Sequence, residues 1–502
     1  MSALLGLRSR RLTQMKERLS QSPIAYRLAQ GAFWSMVGGV LSRVFTMVSS
    51  IVVARLLGRD EYGELGMVQS TMGVFGVLAG FGLGSTATKY IAEYRFKDPG
   101  KAGRIMNLTV VISLLSGGVM MIACFALSPW LARTTMARPD LASLLGAGSL
   151  LLFISAIGGV LSAALSGYEA FRRIAKINIL QGAATPLTAI PLVWFYGGQG
   201  AIASLTISAG LGVILYSRAL KNEAMRDNVP ITYSNTIWNE WPILWRFSLP
   251  AMASGLMVAP VTWISNLILV TQTNGYSEMG LFNAANQWRM FIIFLPGLLT
   301  SAMLPVLSET HGKEDQSDFR KTVALNLRVT WIVALPLTVM VIILGKPLAA
   351  IFGKQFVGAE SIIVVLMLAV FLNVVNSTVG TALAGSGRMW TGTLMNLGWG
   401  IMLVLSSLML VPHLGGQGLA IAYLLAYILH TAWVMAFVEI KLAPSAMVSQ
   451  WPLILFSLPL LGASAYASLL MTSNVFMYQI LLVVLSFIPL AGVLRSKIFH
   501  YI

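Results

Sequence analysis

Apolar runs of about 20 residues, each long enough to cross the hydrocarbon core of a bilayer as a helix, recur from one end of the sequence to the other. In lipid every backbone N–H and C=O must be bonded within its own segment, so such runs fold as α-helices. They fall at 29–54, 65–88, 105–127, 141–166, 177–196, 200–217, 247–271, 280–307, 329–345, 361–384, 390–411, 415–438, 452–471 and 475–494, about fourteen in all. Charged residues are only 10% of the chain and hydrophobic ones 57%, against about a quarter charged in soluble domains. The expectation is an all-α integral membrane protein. The basic leader (Arg8, Arg10, Arg11, Lys16, Arg18) feeds a first run too long for a signal peptide and followed by no small-residue cleavage site, so the first helix is expected to stay.

The net charge of +16 raises nucleic acid as a partner, but the placement of the charges argues against it. With the N-terminus inside, Arg55, Arg59, Arg133, Arg138, Lys346 and Lys354 fall outside and Arg43 and Arg289 fall within spans, while the rest of the 34 Lys and Arg lie on the inner side. That asymmetry puts both termini of a multi-pass membrane protein in the cytoplasm. The single cysteine, Cys124, lies inside a span and permits no intramolecular disulfide.

Three local matches recur in one order at nearly one offset. Gly58–Gly63 (GRDEYG) answers Gly275–Gly280 (GYSEMG) at a shift of 217, Ala164–Gly167 (ALSG) answers Ala382–Gly385 (ALAG) at 218, and the GGQG at Gly197 answers the GGQG at Gly415, also at 218. Together they mark a repeat of six helices. Six is even, so both copies enter the membrane in the same sense, related by an axis along the membrane normal. The motifs themselves read as turns: Gly58 and Gly275 end helices, Asp60 and Ser277 suit the next N-cap, and Glu61 and Glu278 then meet a helix dipole in its first turn. The expected organisation is a basic cytoplasmic tail at 1–28, a six-helix lobe at 29–217, a cytoplasmic linker at 218–246, a second six-helix lobe at 247–438, and an extra helix pair with a tail at 439–502.

An enzyme is the weaker class. The outer loops are short, the inner ones hold no Walker motif, acidic metal cluster or zinc-ligand spacing, and the four histidines (His311, His413, His430, His500) are scattered. GFGLG at Gly80 follows no strand, so it is no dinucleotide loop. Neither cofactor nor metal is expected. Intramembrane polarity carries more: every acidic residue lies beyond the ends of the spans, whereas Arg43 and Arg289 sit roughly 14–16 Å from their outer ends. Asn283, Asn286 and Gln287 fall within about 100° of helix circumference with Arg289 about 60° beyond, so one side of that helix is polar. A charge facing lipid costs about 3 kcal/mol or more. Such arginines either cap carbonyls freed by proline, and Pro250, Pro260, Pro296 and Pro305 free several, or line a hydrated cavity. The cavity is the expectation, and cations without fixed anions suit an anion such as phosphate. Asn178, Asn373, Asn376 and Asn396 serve equally well as interhelical hydrogen-bonding residues. The four prolines also make the seventh and eighth spans the ones expected to bend, since the first two have none.

The segments Ala54–Gly66 (ARLLGRDEYGELG), Gly80–Arg95 (GFGLGSTATKYIAEYR) and Gly280–Glu309 resemble the polysaccharide transporter family, the Wzx-type O-antigen flippases of the MOP superfamily, along nearly the whole chain. The resemblance implies two six-helix lobes in a MATE-like V around a central cavity, plus the C-terminal helix pair. The first and eighth spans would face each other, bringing Arg43 and Arg289 to one cavity with Asn283, Asn286 and Gln287 as substrate-binding residues. It further implies an undecaprenyl-diphosphate-linked oligosaccharide, for O-antigen, capsule or exopolysaccharide, flipped across the bacterial inner membrane by alternating access. Membrane lipid, a polysaccharide polymerase and chain-length machinery are the partners it implies. Lipid II flippases and MATE-type drug or cation antiporters are the alternatives. The antiporters usually carry an intramembrane acid, which this sequence lacks; lipid II flippases typically carry several cavity arginines in the first lobe, where only Arg43 lies well inside a span.

Overall fold

The computed structural model describes residues 23–231, 235–249, 252, 256–311, 317–469 and 476–495. The basic leader, Pro250 and His500 lie outside them. The described chain is helical, with α1 Pro23–Gly80, α2 Leu83–Tyr94, α3 Pro99–Trp130, α4 Leu141–Gly167, α5 Phe171–Arg226, α6 Val258–Val270, α7 Gly275–His311, α8 Ser317–Ile343, α9 Gly345–Ala350, α10 Ala359–Gly385, α11 Met389–Phe437, α12 Trp451–Leu469, α13 Phe476–Ser486 and α14 Ile488–Arg495. Eight helical stretches among the described residues are long and apolar enough to cross a membrane.

Three of the helices are too long to be single crossings, and each folds back at one glycine. The bends stand at Gly58 (φ 79°, ψ −177°) in α1, Gly197 (φ 55°, ψ −134°) in α5 and Gly415 (φ 54°, ψ −134°) in α11. Backbone of this kind excludes a Cβ, which is why the sequence places glycine there. The arms then pack antiparallel: Ser208 Oγ donates to the Gln181 carbonyl at 2.8 Å within α5, and the Trp399 and Tyr427 rings meet at 5.3 Å within α11. The first glycines of the two GGQG copies, Gly197 and Gly415, share φ and ψ to within a degree. Asn373 and Asn376 of α10 bond to Tyr427 and Thr431 of α11 at 2.8 and 2.9 Å, and Asn178 accepts from Tyr216, so these amides hold helices together inside the lobes.

Several boundaries differ from the expected ones. The second span does not run unbroken from 65 to 88, because Phe81 (φ 44°) and Gly82 (φ 65°) interrupt it between α1 and α2. The break comes from the glycine-rich GFGLG segment, not from a proline. In α7, by contrast, Pro296 is accommodated within one continuous helix, while in the seventh span a turn at 256–257 precedes α6. Ser277 is no N-cap, since Asn274 (φ 59°) closes the preceding turn and α7 begins at Gly275, whereas Asp60 follows the Gly58 bend at the start of the second arm of α1. The second arm of α5 runs on to Arg226, into the expected linker, whose 3-10 turn at Asn235–Glu240 is tied to the first lobe by Glu240 and Arg104 at 2.8 Å. α12 packs against α8, where Trp331 Nε1 donates to Ser457 Oγ at 3.0 Å.

Candidate functional site

Between the lobes lies a cavity of about 400 Å³ walled by both arms of α1, by α5, α6 and α7, and by Tyr423 of α11. Asn283, Asn286, Gln287 and Arg289 all line it, as one face of α7 requires. Across from them stand Thr46, Ser49, Ser50, Gln69, Ser70 and Asn266. Arg289 is the one charged residue among the lining residues, with no carboxylate beside it.

Part of this wall is already satisfied internally. The Tyr62 hydroxyl shares a 2.6 Å hydrogen bond with Ser50 Oγ and accepts from Gln287 Nε2 at 3.4 Å. Asn283 Nδ2 donates to the Tyr62 carbonyl at 3.5 Å, and Asn266 Nδ2 donates to Ser70 Oγ at 2.9 Å. Asn286 and Arg289 make no hydrogen bond or ion pair with protein among the described residues, although the charge of Arg289 reaches Tyr423 and Tyr427. Their polar groups are available to whatever fills the cavity.

Arg43 is placed differently. Its guanidinium lies 3.9 Å over the ring of Phe294 on α7, and Nη1 donates to the Gly39 carbonyl at 3.2 Å, while Nε is buried without an acceptor. It is not among the residues lining the central cavity. Its neighbours Ser42 and Thr46 line a second cavity of about 790 Å³ inside the first lobe, which shares Thr46, Gln69, Thr185 and Leu205 with the central one. The two spaces adjoin, and Arg43 stands beside them.

The end of the bundle that carries Gly58 is sealed by contacts between the lobes. Arg59 pairs with Glu278 at 2.7 Å and donates from Nε to the Ser277 carbonyl at 3.0 Å, and Arg55 Nε reaches the Ile351 carbonyl at 2.8 Å. Tyr276 of α7 donates to the Met136 carbonyl of the first lobe at 2.8 Å. The last glycines of the two G-x-x-E-x-G copies meet here: a Cβ on Gly63 would lie 1.8 Å from the Tyr276 carbonyl oxygen, and one on Gly280 2.1 Å from that of Arg59. Glu278 also accepts from the Gly416 amide at 3.0 Å, so it ties the GGQG turn of its own lobe to the other lobe.

Sequence reasoning located the α7 face but missed Tyr62, Ser70 and Asn266. The available signal was weak: Tyr62 stands inside the GRDEYG turn motif, Ser70 lies between Gln69 and Thr71, and Asn266 looks like the amides that only join helices. Nor did it show that the turn motifs would close one mouth of the cavity.

Residues 28–311 match the family described as "Polysaccharide biosynthesis protein", and residues 250–408 match the MatE family. The chain is 27% identical over 286 residues to the EPS I polysaccharide export inner membrane protein EpsE of Ralstonia nicotianae, covering 54% of this chain and 62% of that protein. It therefore matches somewhat less than two thirds of that relative's length. It is 22% identical to the lipid III flippase of Escherichia coli, over 57% of this chain and 69% of the relative. Among solved structures, the lipid II flippase MurJ in an inward closed conformation superposes with a TM-score of 0.68 at 15% identity, over 93% of this chain and 99% of that one. At that identity the likeness establishes the fold.

Proposed function

The chain belongs to the polysaccharide biosynthesis protein family, and from that premise we propose that it flips an undecaprenyl-diphosphate-linked oligosaccharide across the bacterial inner membrane by alternating access. One observation carries the reading: the central cavity presents an unpaired Arg289 and an uncommitted Asn286 with no carboxylate in its lining. A lone guanidinium in a half-buried cavity stabilises an anion, and its planar fork matches the paired oxygens of a diphosphate. The adjoining cavity in the first lobe, lined by Ser42, Gln69, Gln181 and Ser208 among others, offers hydroxyl and amide groups for sugars. The polyprenyl tail stays in lipid between α1 and α7. Arg43, fixed on Phe294, supplies a second positive charge along the same pair of helices.

In this reading the membrane is crossed about fourteen times, both termini are cytoplasmic, and the sealed Gly58 end is the periplasmic mouth. Substrate loads from the cytoplasmic leaflet, the Arg59–Glu278 clamp opens, and the glycan is released outside. The protein transports and makes or breaks no covalent bond; a polysaccharide polymerase acting on the flipped unit is its natural partner.

The test is an Arg289 series scored by surface glycan and by resistance to cationic dyes. Arg289→Lys keeps the charge and should retain activity, whereas Arg289→Ala should lose most of it and Arg289→Glu all of it, with each variant accumulating normally in the membrane. A glutamate variant that gains dye resistance would instead establish a cation exporter. Rescue of cells lacking their lipid II flippase would shift the cargo to lipid II.

A further inference from the structure

A separate cavity of about 490 Å³ opens at the opposite end of the first lobe, where the start of α1, the end of α2, the α4–α5 turn and the end of α5 converge. Four arginines line it: Arg95, Arg172, Arg173 and Arg226. Their carboxylate partners are fewer. Arg95 pairs with Glu169 at 2.8 Å, Glu223 is shared between Arg173 at 2.9 Å and Arg226 at 3.1 Å, and Arg226 also pairs with Asp227 at 3.2 Å. Among the described residues Arg172 has no carboxylate partner, and it rests 5.1 Å over the ring of Trp34. Arg95 is 4% exposed, yet its Nε has no hydrogen-bond acceptor. A buried guanidinium with an orphaned donor is costly, and an anion in this cavity would remove the deficit.

The rim says what kind of anion. Trp34 and Phe96 flank the arginines, Phe96 being 70% exposed with Arg95 stacked 4.6 Å over its ring. Aromatic rings beside cations at the level of the headgroups suit an amphiphile, with its phosphate among the guanidinium groups and its glycerol and acyl region against the rings. A free phosphate would gain nothing from that rim. We infer that this cavity binds the phosphate headgroup of an anionic phospholipid of the surrounding leaflet, with Arg95 and Arg172 as its principal contacts. The inference needs only that the chain lies in a membrane, and it stands or falls apart from the flippase reading.

The experiment uses the full-length protein in mixed micelles containing equal amounts of phosphatidylglycerol and phosphatidylethanolamine, with retained lipid measured by native mass spectrometry. The wild type should retain phosphatidylglycerol preferentially. Arg172 is exposed, so its replacement leaves packing intact; Arg172→Glu should weaken that retention by about fivefold or more, while Arg172→Lys preserves it. Thermal unfolding verifies each fold, and Trp34→Leu gives the same reading should the charge reversal fail to fold. No headgroup preference in the wild type, or equal retention by Arg172→Glu, overturns the inference. So does displacement of phosphatidylglycerol by millimolar inorganic phosphate alone, which would make the site a free-phosphate site. Competition by a polyprenyl diphosphate that outcompetes phosphatidylglycerol in the wild type, and is lost in Arg172→Glu, would overturn it in favour of a substrate-docking site.

Discussion

Asn283 reaches the Tyr62 carbonyl only because residue 66 has no side chain: a Cβ on Gly66 would lie 1.6 Å from Asn283 Nδ2. Gly66→Ala must therefore push the amide aside or separate α1 from α7. We expect a stability loss of about 1–3 kcal/mol, the usual range for overpacking, and a sharp fall in glycan export. Adding Asn283→Ala to Gly66→Ala removes the clash, so it should recover most of the stability but not the export; recovery of both would show that Asn283 only fills space. The same helix face shows what a sequence can say about a site. The spacing of Asn283, Asn286, Gln287 and Arg289 fixes their common direction, and all four line one cavity. Spacing does not fix where a long side chain ends, and Arg43 lies on Phe294 instead of in the central cavity. Asn266 was illegible because its neighbours in composition, Asn373 and Asn376, bond within their lobe, and nothing local separates the two uses.

At the scale of the helix, the paired GGQG bends give a matched comparison, since Gly197 and Gly415 share φ and ψ but not surroundings. Alanine at either position meets backbone strain of about 1–3 kcal/mol. At Gly415 the new Cβ would also lie 2.9 Å from Glu278 Oε2, against 3.4 Å from Glu61 Oε2 at Gly197. Gly415→Ala should therefore unfold at the lower temperature of the two and disturb Glu278, which bonds both Gly416 and Arg59. Equal unfolding temperatures would mean that Glu278 moves away freely and does not hold the bend. That these glycines make turns was readable from their recurrence. That Phe81, an ordinary residue, would adopt a positive φ and break α1 from α2 was not, because the proline rule points to other helices and Phe81 packs against buried Leu83, Leu108 and Val160, contacts the local sequence does not reveal.

For the whole molecule, the six-helix period predicts two lobes, and the structure adds how they meet. The two G-x-x-E-x-G copies cross at one end, Gly63 against Tyr276 and Gly280 against Arg59, with the Arg59–Glu278 pair beside them. Both partners of that pair are 28% exposed, so it contributes modestly and breaks without large cost. Contact between bare backbones at two glycines is likewise close without being bulky, which suits surfaces that separate and rejoin. Sequence periodicity could not show this seam, since it orders helices within a lobe and says nothing of which conformation the pair of lobes adopts. Deeper along the seam, Asn266 of α6 donates to Ser70 of α1 at 2.9 Å, and Trp263 Nε1 donates to Thr71 Oγ1 at 2.9 Å. Cysteines at positions 70 and 266, introduced by Ser70→Cys and Asn266→Cys in a Cys124→Ser background, should crosslink under mild oxidation and hold the lobes as they stand here. If alternating access requires this seam to open, export falls to background when the bond forms and returns when it is reduced, while each single variant keeps most of its activity. Export that continues with the bond intact would place the moving surface elsewhere, and the lobes would have to exchange their cargo without parting at α1 and α6.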